Sequence, residues 1–271
     1  MEKLNGLDLF SGIAGISEAL EKYIRPVAYC EISKYPVGVL LSRQITKQIP
    51  VAPIWDDVKT LKGWMLPKVD IVYGGFPCQD ISVANPNATG VEGKRSGLFS
   101  EILRLAKETK SAFIFLENSP AIRTRGASRV CKELADAGYD CRWCTLAASE
   151  VGARHKRKRW YLLAHTRRLS SNQGTTFQRR NDERASDNIE RCDTLEYANS
   201  KRLERIHEPR REVSVQPAKT AIWQEWETEP RLDRVAHGLP YQVDRLACLG
   251  NSVVPRAAKT AFEILMGIIH V

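Results

Sequence analysis

Short apolar runs alternate with stretches of helical spacing along the first 165 residues. Leu7-Asp8-Leu9-Phe10 reads as a strand; the turn Ser11-Gly12-Ile13-Ala14-Gly15 follows, then a helical stretch from Ile16 to Lys22. Val27-Ala28-Tyr29-Cys30-Glu31 predicts a second strand, with a helix from Lys34 to Arg43. The rhythm repeats through the strand Val69–Tyr73, a helix around Leu98–Glu108 and the strand Ala112–Leu116, and Tyr161-Leu162-Leu163-Ala164 reads as another strand. Strand, turn and helix in this order predict an α/β fold built on a doubly wound, mostly parallel sheet. After about His165 the chain becomes polar, charged and weakly periodic. Arg256 to Ile269 reads as a closing amphipathic helix, with Pro255 at its start. The expected organisation is therefore a catalytic unit over 1–165, an inserted lobe over 166–235, and a return to the first unit over 236–271.

The segment Gly74-Gly75-Phe76-Pro77-Cys78-Gln79 follows an apolar run. Two glycines are expected to break the strand, and Pro77 stiffens the turn directly before a cysteine. A thiol there faces a ligand if the turn sits at a sheet edge, or is a small buried hydrophobe if it does not. Glu117-Asn118 ends the strand Ala112–Leu116 and reaches the same edge as Cys78 if the strands are parallel. A thiolate and a carboxylic acid at one edge suit attack on an electron-poor ring, the sulfur adding to carbon while the acid engages a ring nitrogen. The bland alternative for Glu117 is an acid at a helix N-terminus.

Ligands of doubly wound sheets bind at the carboxyl ends of strands. Asp8-x-Phe10-x-Gly12-x-x-Gly15 occupies that place after the first strand and departs from the phosphate-binding GxGxxG pattern. A nucleoside held without a pyrophosphate fits it better. Glu31 ends the second strand, where an acid accepts hydrogen bonds from ribose hydroxyls, and Asp56-Asp57 is placed to meet an adenine amino group.

Charge sharpens the choice of partner. The chain has 271 residues, 41 basic and 32 acidic side chains, and a net charge of +9. Nine Lys or Arg and no Asp or Glu fall between Val151 and Asn181. This imbalance favours a polyanion over a merely solvated loop. The seven cysteines are an odd number, no signal-peptide pattern opens the chain, and no apolar run reaches membrane-spanning length. A cytoplasmic protein with free thiols is expected. Cys141-Arg142-Trp143-Cys144 has the spacing of half a zinc site, but no second pair completes it, so no metal is expected.

Taken together, these motifs resemble those of the cytosine-C5 DNA methyltransferases of bacterial and phage type. Asp8-Leu9-Phe10-Ser11-Gly12-Ile13-Ala14-Gly15 is similar to the family's S-adenosylmethionine motif, and Phe76-Pro77-Cys78-Gln79 to its catalytic Pro-Cys motif. Glu117-Asn118-Ser119 resembles the Glu-Asn-Val motif, and His155-Lys156-Arg157-Lys158-Arg159 the Gln-x-Arg-x-Arg motif. Leu249-Gly250-Asn251-Ser252-Val253-Val254-Pro255 resembles the closing Gly-Asn-Ser-Val-x-Pro motif, and Ser96-Gly97-Leu98-Phe99 a further one. Ala14, Ser119 and His155 depart from the common glycine, valine and glutamine.

The resemblance implies a fold, a reaction and a set of roles. Cys78 attacks C6 of a flipped-out cytosine, Glu117 engages N3 and the exocyclic amine, and Arg157 with Arg159 contacts the base or holds Glu117 and phosphates. Phe10, Gly12, Ile13, Gly15, Glu31, Asp57, Val58, Pro77, Leu98, Asn251 and Ser252 fall where the family holds S-adenosyl-L-methionine. Gln79 and Ser82 lie on the loop that closes over DNA, and Lys156 and Lys158 face phosphates. The insert stands where the family reads its target, with Arg179, Arg180, Arg202, Arg205, Arg210 and Arg211 as candidate DNA contacts. The implied partner is double-stranded DNA, bound by a monomer, with a cognate restriction endonuclease possible. Methylation of cytosine in RNA and a catalytically silent DNA-binding relative stay open as alternatives at this point.

Overall fold

A computed structural model describes residues 2–76, 96–166 and 242–269. The expected target-reading insert, with Arg179, Arg180 and the arginines that follow, lies outside the described residues, as do Pro77, Cys78, Gln79 and Ser82.

Among the described residues seven strands form one sheet: β1 (Leu4–Leu9), β2 (Ile24–Cys30), β3 (Ile54–Trp55), β4 (Ile71–Gly75), β5 (Phe113–Asn118), β6 (Tyr139–Ala147) and β7 (Lys158–Thr166). Their order is β3-β2-β1-β4-β5-β7-β6. All neighbours from β3 to β5 are parallel, while β7 runs antiparallel to both β5 and β6. The helices are α1 (Gly15–Ala19), α2 (Lys34–Ile45), α3 (Phe99–Thr109), α4 (Ile122–Arg125), α5 (Ala127–Asp136), α6 (Gln242–Asn251) and α7 (Pro255–Leu265). This is an α/β Rossmann-like sheet with helices on both faces.

Alternation along the strands assigns residues to two cores. On one face Leu7, Leu9, Val72, Ile114, Leu116, Trp160 and Leu162 pack under α3 and α5. Apolar residues of α5 recur at Ala127, Val130, Cys131 and Leu134, one stripe of a helix. On the other face Ile71, Tyr73, Phe115, Tyr161 and Leu163 meet Ile16 of α1 and Ala257, Ala258, Ala261, Phe262 and Leu265 of α7. Pro255 opens α7, where its missing N–H costs nothing. A third, smaller cluster joins Ala14 and Tyr29 to Leu40 of α2.

Two expectations are corrected, and two elements are added. The helix after the first strand stops at Ala19, because the chain turns through Leu20 to Tyr23 into β2. α5 and β6, which the reading of the apolar runs passes over, complete the far side of the sheet. Gly74 and Gly75 do not break the strand, because both belong to β4. A Cβ at Gly74 would lie 1.9 Å from the Leu9 carbonyl oxygen, and one at Gly75 would lie 2.8 Å from Glu117 Oε2. Close approach, rather than a turn, requires glycine here.

Candidate active site

The parallel pairing of β1, β2, β4 and β5 brings their carboxyl ends to one edge. β4 and β5 run in register with Gly75 opposite Glu117. Cys78 follows Gly75 by three residues. Asn118 donates from Nδ2 to the carbonyl of Phe76 at 3.2 Å, which ties the end of β5 to the chain that enters the Pro-Cys segment. Phe76 itself is buried against Phe99, with ring centroids 5.5 Å apart.

The reversal of β7 supplies the basic side chains. Because it runs against β5, its first residues arrive where β5 ends, with Tyr161 opposite Glu117. Arg159 lies two residues before Tyr161 and on the same face. Its Nε stands 2.9 Å from Glu117 Oε1, with 23% and 13% of the two side chains exposed. The Glu117 carboxyl is pushed above its usual range, because loss of hydration outweighs the opposing pull of Arg159 and Arg157. A carboxyl so placed carries a proton more readily than a free glutamate does.

Arg157 takes a different course. Its Nη2 donates to the carbonyl of Gly250 at 2.6 Å and to that of Ser252. It thereby pins the turn between α6 and α7 to the start of β7. Loss of hydration, with the neighbouring Arg159, draws its pKa down, and its Nε is buried without a partner among the described residues. The two arginines thus divide between two tasks, one on the acid and one on the Asn251-Ser252 turn. Lys156 is exposed and Lys158 half-buried at the first position of β7.

The second half of the site is the loop after β1. Phe10, Gly12 and Ala14 all have positive φ, at 55°, 54° and 66°. This alternation folds the backbone back beneath the sheet edge. Gly12 donates its N–H to Glu31 Oε2 at 2.9 Å, and Ser33 donates to Glu31 Oε1 at 2.8 Å. Glu31 therefore joins the loops after β1 and β2 and keeps further lone pairs for a ligand. Gly15 lies flush against the last turn: a Cβ there would sit 3.0 Å from Ser252 Oγ and Val253 Cγ1. Arg43 of α2, which carries no motif signal, grips the same loop, donating to the Ile13 carbonyl at 2.5 Å and pairing with Glu18 at 2.7 Å.

Beneath this loop Asp8 is 1% exposed and accepts a 2.5 Å hydrogen bond from Ser17, whose hydroxyl also meets Tyr73 Oη at 2.7 Å. Burial lifts the Asp8 pKa to about 7, against the lowering pull of Ser17 and Ser11.

Asp57 and Val58 occupy a compact turn after β3. The Asp57 carbonyl accepts from Thr60 N at 2.9 Å, and its Oδ1 accepts from Lys59 N at 3.0 Å. Val58 is buried, and Leu98 packs at the start of α3. Cys141 and Cys144 lie three apart on β6 and join opposite faces of the sheet, so their spacing makes no chelating pair. Among the described residues no group of three or more His, Cys, Asp or Glu is placed to hold a metal, and no helix is long and apolar enough to cross a membrane.

The family model for C-5 cytosine-specific DNA methylases matches residues 4–238. The chain belongs to that family. Among its relatives, the Type II methyltransferase M.CviJI of Paramecium bursaria Chlorella virus IL3A is 39% identical over 160 residues, which are 58% of this chain and 42% of that protein. The Type II methyltransferase M.Sau3AI of Staphylococcus aureus is 29% identical over 242 residues, or 76% of this chain and 55% of the relative. The chain thus spans about half the length of the curated relatives it matches. A crystal structure of a prophage-encoded E. coli protein, described as a DNA modification methyltransferase, shares the fold with a TM-score of 0.51 at 23% identity, over 62% of this chain and 48% of that one.

Proposed function

We propose that this member of the C-5 cytosine-specific DNA methylase family transfers a methyl group from S-adenosyl-L-methionine to C5 of a cytosine flipped out of duplex DNA. The observation that carries the reading is the Glu117–Arg159 pair, whose carboxyl is held above its usual range by burial and set opposite Gly75, three residues before the proposed nucleophile.

Cytosine C5 is a poor nucleophile until something adds at C6. The Cys78 thiolate forms a bond to C6, and the displaced electron pair is accommodated as Glu117 delivers its proton to N3. Arg159 keeps the Glu117 carboxyl aimed at the base and stabilises its negative charge once the proton has left. C5 is then enamine-like and reacts with an electrophile. Loss of the C5 proton to a base, expulsion of the Cys78 thiolate and return of the N3 proton to Glu117 restore the aromatic ring. The base must leave the stack for this chemistry, at a cost of about a few kcal/mol. Gln79 and Ser82, with Lys156, Lys158, Arg179 and Arg180, offset that cost through contacts with DNA.

The loop after β1 fits the donor. Space around Gly12 is open, with no atom within 4 Å of a Cβ built there, and φ of 54° turns its amide toward Glu31. Phe10, Gly12, Ile13, Gly15, Glu31, Asp57, Val58, Pro77, Leu98, Asn251 and Ser252 would hold it. When bound, S-adenosyl-L-methionine supplies a methyl group made electrophilic by a sulfonium. Ile13 and Gly15 shape the loop, Glu31 receives ribose hydroxyls, and Val58 and Leu98 wall the adenine.

The test is expression in a host lacking cytosine methylation, followed by genome-wide mapping of 5-methylcytosine. Methylation at a defined short sequence is expected, and Cys78→Ser should abolish it while leaving cofactor binding nearly intact. Unmethylated DNA from the parent protein, or methylation retained in the Cys78→Ser variant, would overturn the reading.

A further inference from the structure

We propose that Arg104 is a positioning residue for the cofactor pocket: it holds the Asp57-Val58 turn at a fixed distance from Leu98 and so sets selectivity for the adenine ring. The proposal rests on the reading that S-adenosyl-L-methionine occupies this edge of the sheet.

Arg104 projects from α3, with 26% of its side chain exposed. Its three guanidinium nitrogens each meet an acceptor. Nε stands 2.8 Å from Glu101 Oε2, Nη1 donates to Glu108 Oε1 at 2.8 Å, and Nη2 donates to the Val58 carbonyl at 2.9 Å. Glu108 then extends the clamp, its Oε2 accepting the N–H of Gly63 at 2.7 Å. The chain at Gly63 runs flush with the helix, since a Cβ there would lie 2.5 Å from Glu108 Cβ. One face of α3 therefore fastens the turn at both ends, at Val58 and at Gly63.

The turn keeps its own shape through the Asp57 bonds and through Trp55 Nε1, which donates to Thr60 Oγ1 at 2.8 Å. What those bonds leave free is its placement against the sheet. Arg104 removes that freedom. The same helix begins directly after Leu98, so a single rigid element spaces the two proposed apolar walls. The planar fork of a guanidinium serves three acceptors in fixed directions, which an ammonium does not. The exposed part of the network adds little to stability. Its three-way geometry is better explained by placement.

Isothermal titration of the full chain with S-adenosylhomocysteine, and with its inosine counterpart, tests the proposal. Arg104→Met keeps the aliphatic stem and loses the fork. It is expected to weaken S-adenosylhomocysteine about tenfold. It should also cut the preference for adenine over hypoxanthine about threefold, leaving affinity for duplex DNA unchanged. Arg104→Lys should recover part of both losses. Glu101→Gln, which spares the contacts to Val58 and Glu108, should stay within about twofold of the parent while losing a comparable ion pair. Glu108→Gln, which weakens the Arg104 Nη1 contact and the Gly63 end but spares the Val58 carbonyl contact, should shift affinity in the same direction by less, and it keeps the test open if Arg104→Met melts early. Parent affinity and parent adenine preference in both Arg104→Met and Glu108→Gln would overturn the proposal. A parent protein that binds neither compound would instead sink the cofactor reading itself.

Discussion

Replacing Gly75 with alanine separates catalytic geometry from folding. The added Cβ would lie 2.8 Å from Glu117 Oε2, about 0.6 Å inside ordinary contact. The intruded atom is the tip of a side chain, so the clash is relieved by turning the carboxylate away, at about 1 kcal/mol. In a chain of this size that lowers Tm by roughly 3 °C. The same movement pulls Oε1 from its 2.9 Å contact with Arg159 and misdirects the acid. A displacement approaching 1 Å in a reacting group costs on the order of 100-fold in rate, about 2.7 kcal/mol of barrier. Gly75→Ala should therefore fold and bind S-adenosylhomocysteine, yet show kcat down about 100-fold in methyl transfer to duplex DNA. Gly74→Ala is the counterpart. Its Cβ would lie 1.9 Å from the backbone carbonyl of Leu9, which no rotamer change relieves, so it should lose on the order of 3 kcal/mol or more and fail to accumulate. Turnover at the parent rate in a folded Gly75→Ala would refute the placement of Glu117 as the acid.

Three further outcomes follow from the same geometry. Ala14 stands at φ 66°, a conformation costing a non-glycine residue about 1–2 kcal/mol, while deleting its buried methyl forfeits about 1 kcal/mol. Ala14→Gly should therefore melt within about 1 kcal/mol of the parent, and Ala14→Val well below it, by calorimetry. Asp8 has a folded pKa near 7 against an ordinary 3.8, so the stability it contributes is present at low pH and is lost as pH rises toward and through 7. Asp8→Asn removes that loss, so its stability relative to the parent should climb across this window by up to about 4 kcal/mol in denaturant titrations. Arg159 pulls the Glu117 pKa down against the raising effect of burial, so Arg159→Met should move the carboxyl titration, followed by carbon NMR, to higher pH.

The central strands β1, β2, β4 and β5 are legible because both faces are covered, which makes each a nearly continuous apolar run. β6 is not, since it lies at the rim of the sheet and carries Asp140, Arg142 and Thr145 among its apolar residues. The helix before it did leave a signal, the stripe from Ala127 to Leu134 with Gly138 just beyond, at φ 87°. β7 begins earlier than its hydrophobicity suggests, because Lys158 and Arg159 are strand residues whose charge serves the site edge. The motif residues could be read because each combines unusual chemistry with a strand end. Arg104 and Arg43 could not, since their acceptors are backbone carbonyls 46 and 30 residues away, which no local pattern encodes. Gly74 and Gly75 were visible as glycines, but their reason was not. It lies in the neighbouring strands.

The position of β7 also fixes an order of assembly. β7 follows β6 in the chain yet is threaded between β5 and β6, so β6 cannot join the growing sheet ahead of it. β6 joins with β7 or after it, paired to it along nine register positions. While the ribosome is still making that pair, the parallel strands β1, β2, β4 and β5 can already collapse, because amino-terminal segments fold first. In that nascent state Glu117 sits at a bare strand edge with no countercharge. Glu117, the proposed acid, thus acquires its guanidinium only when β7 pairs with β5, and a partly made chain carries the loop after β1 without the Glu117–Arg159 pair.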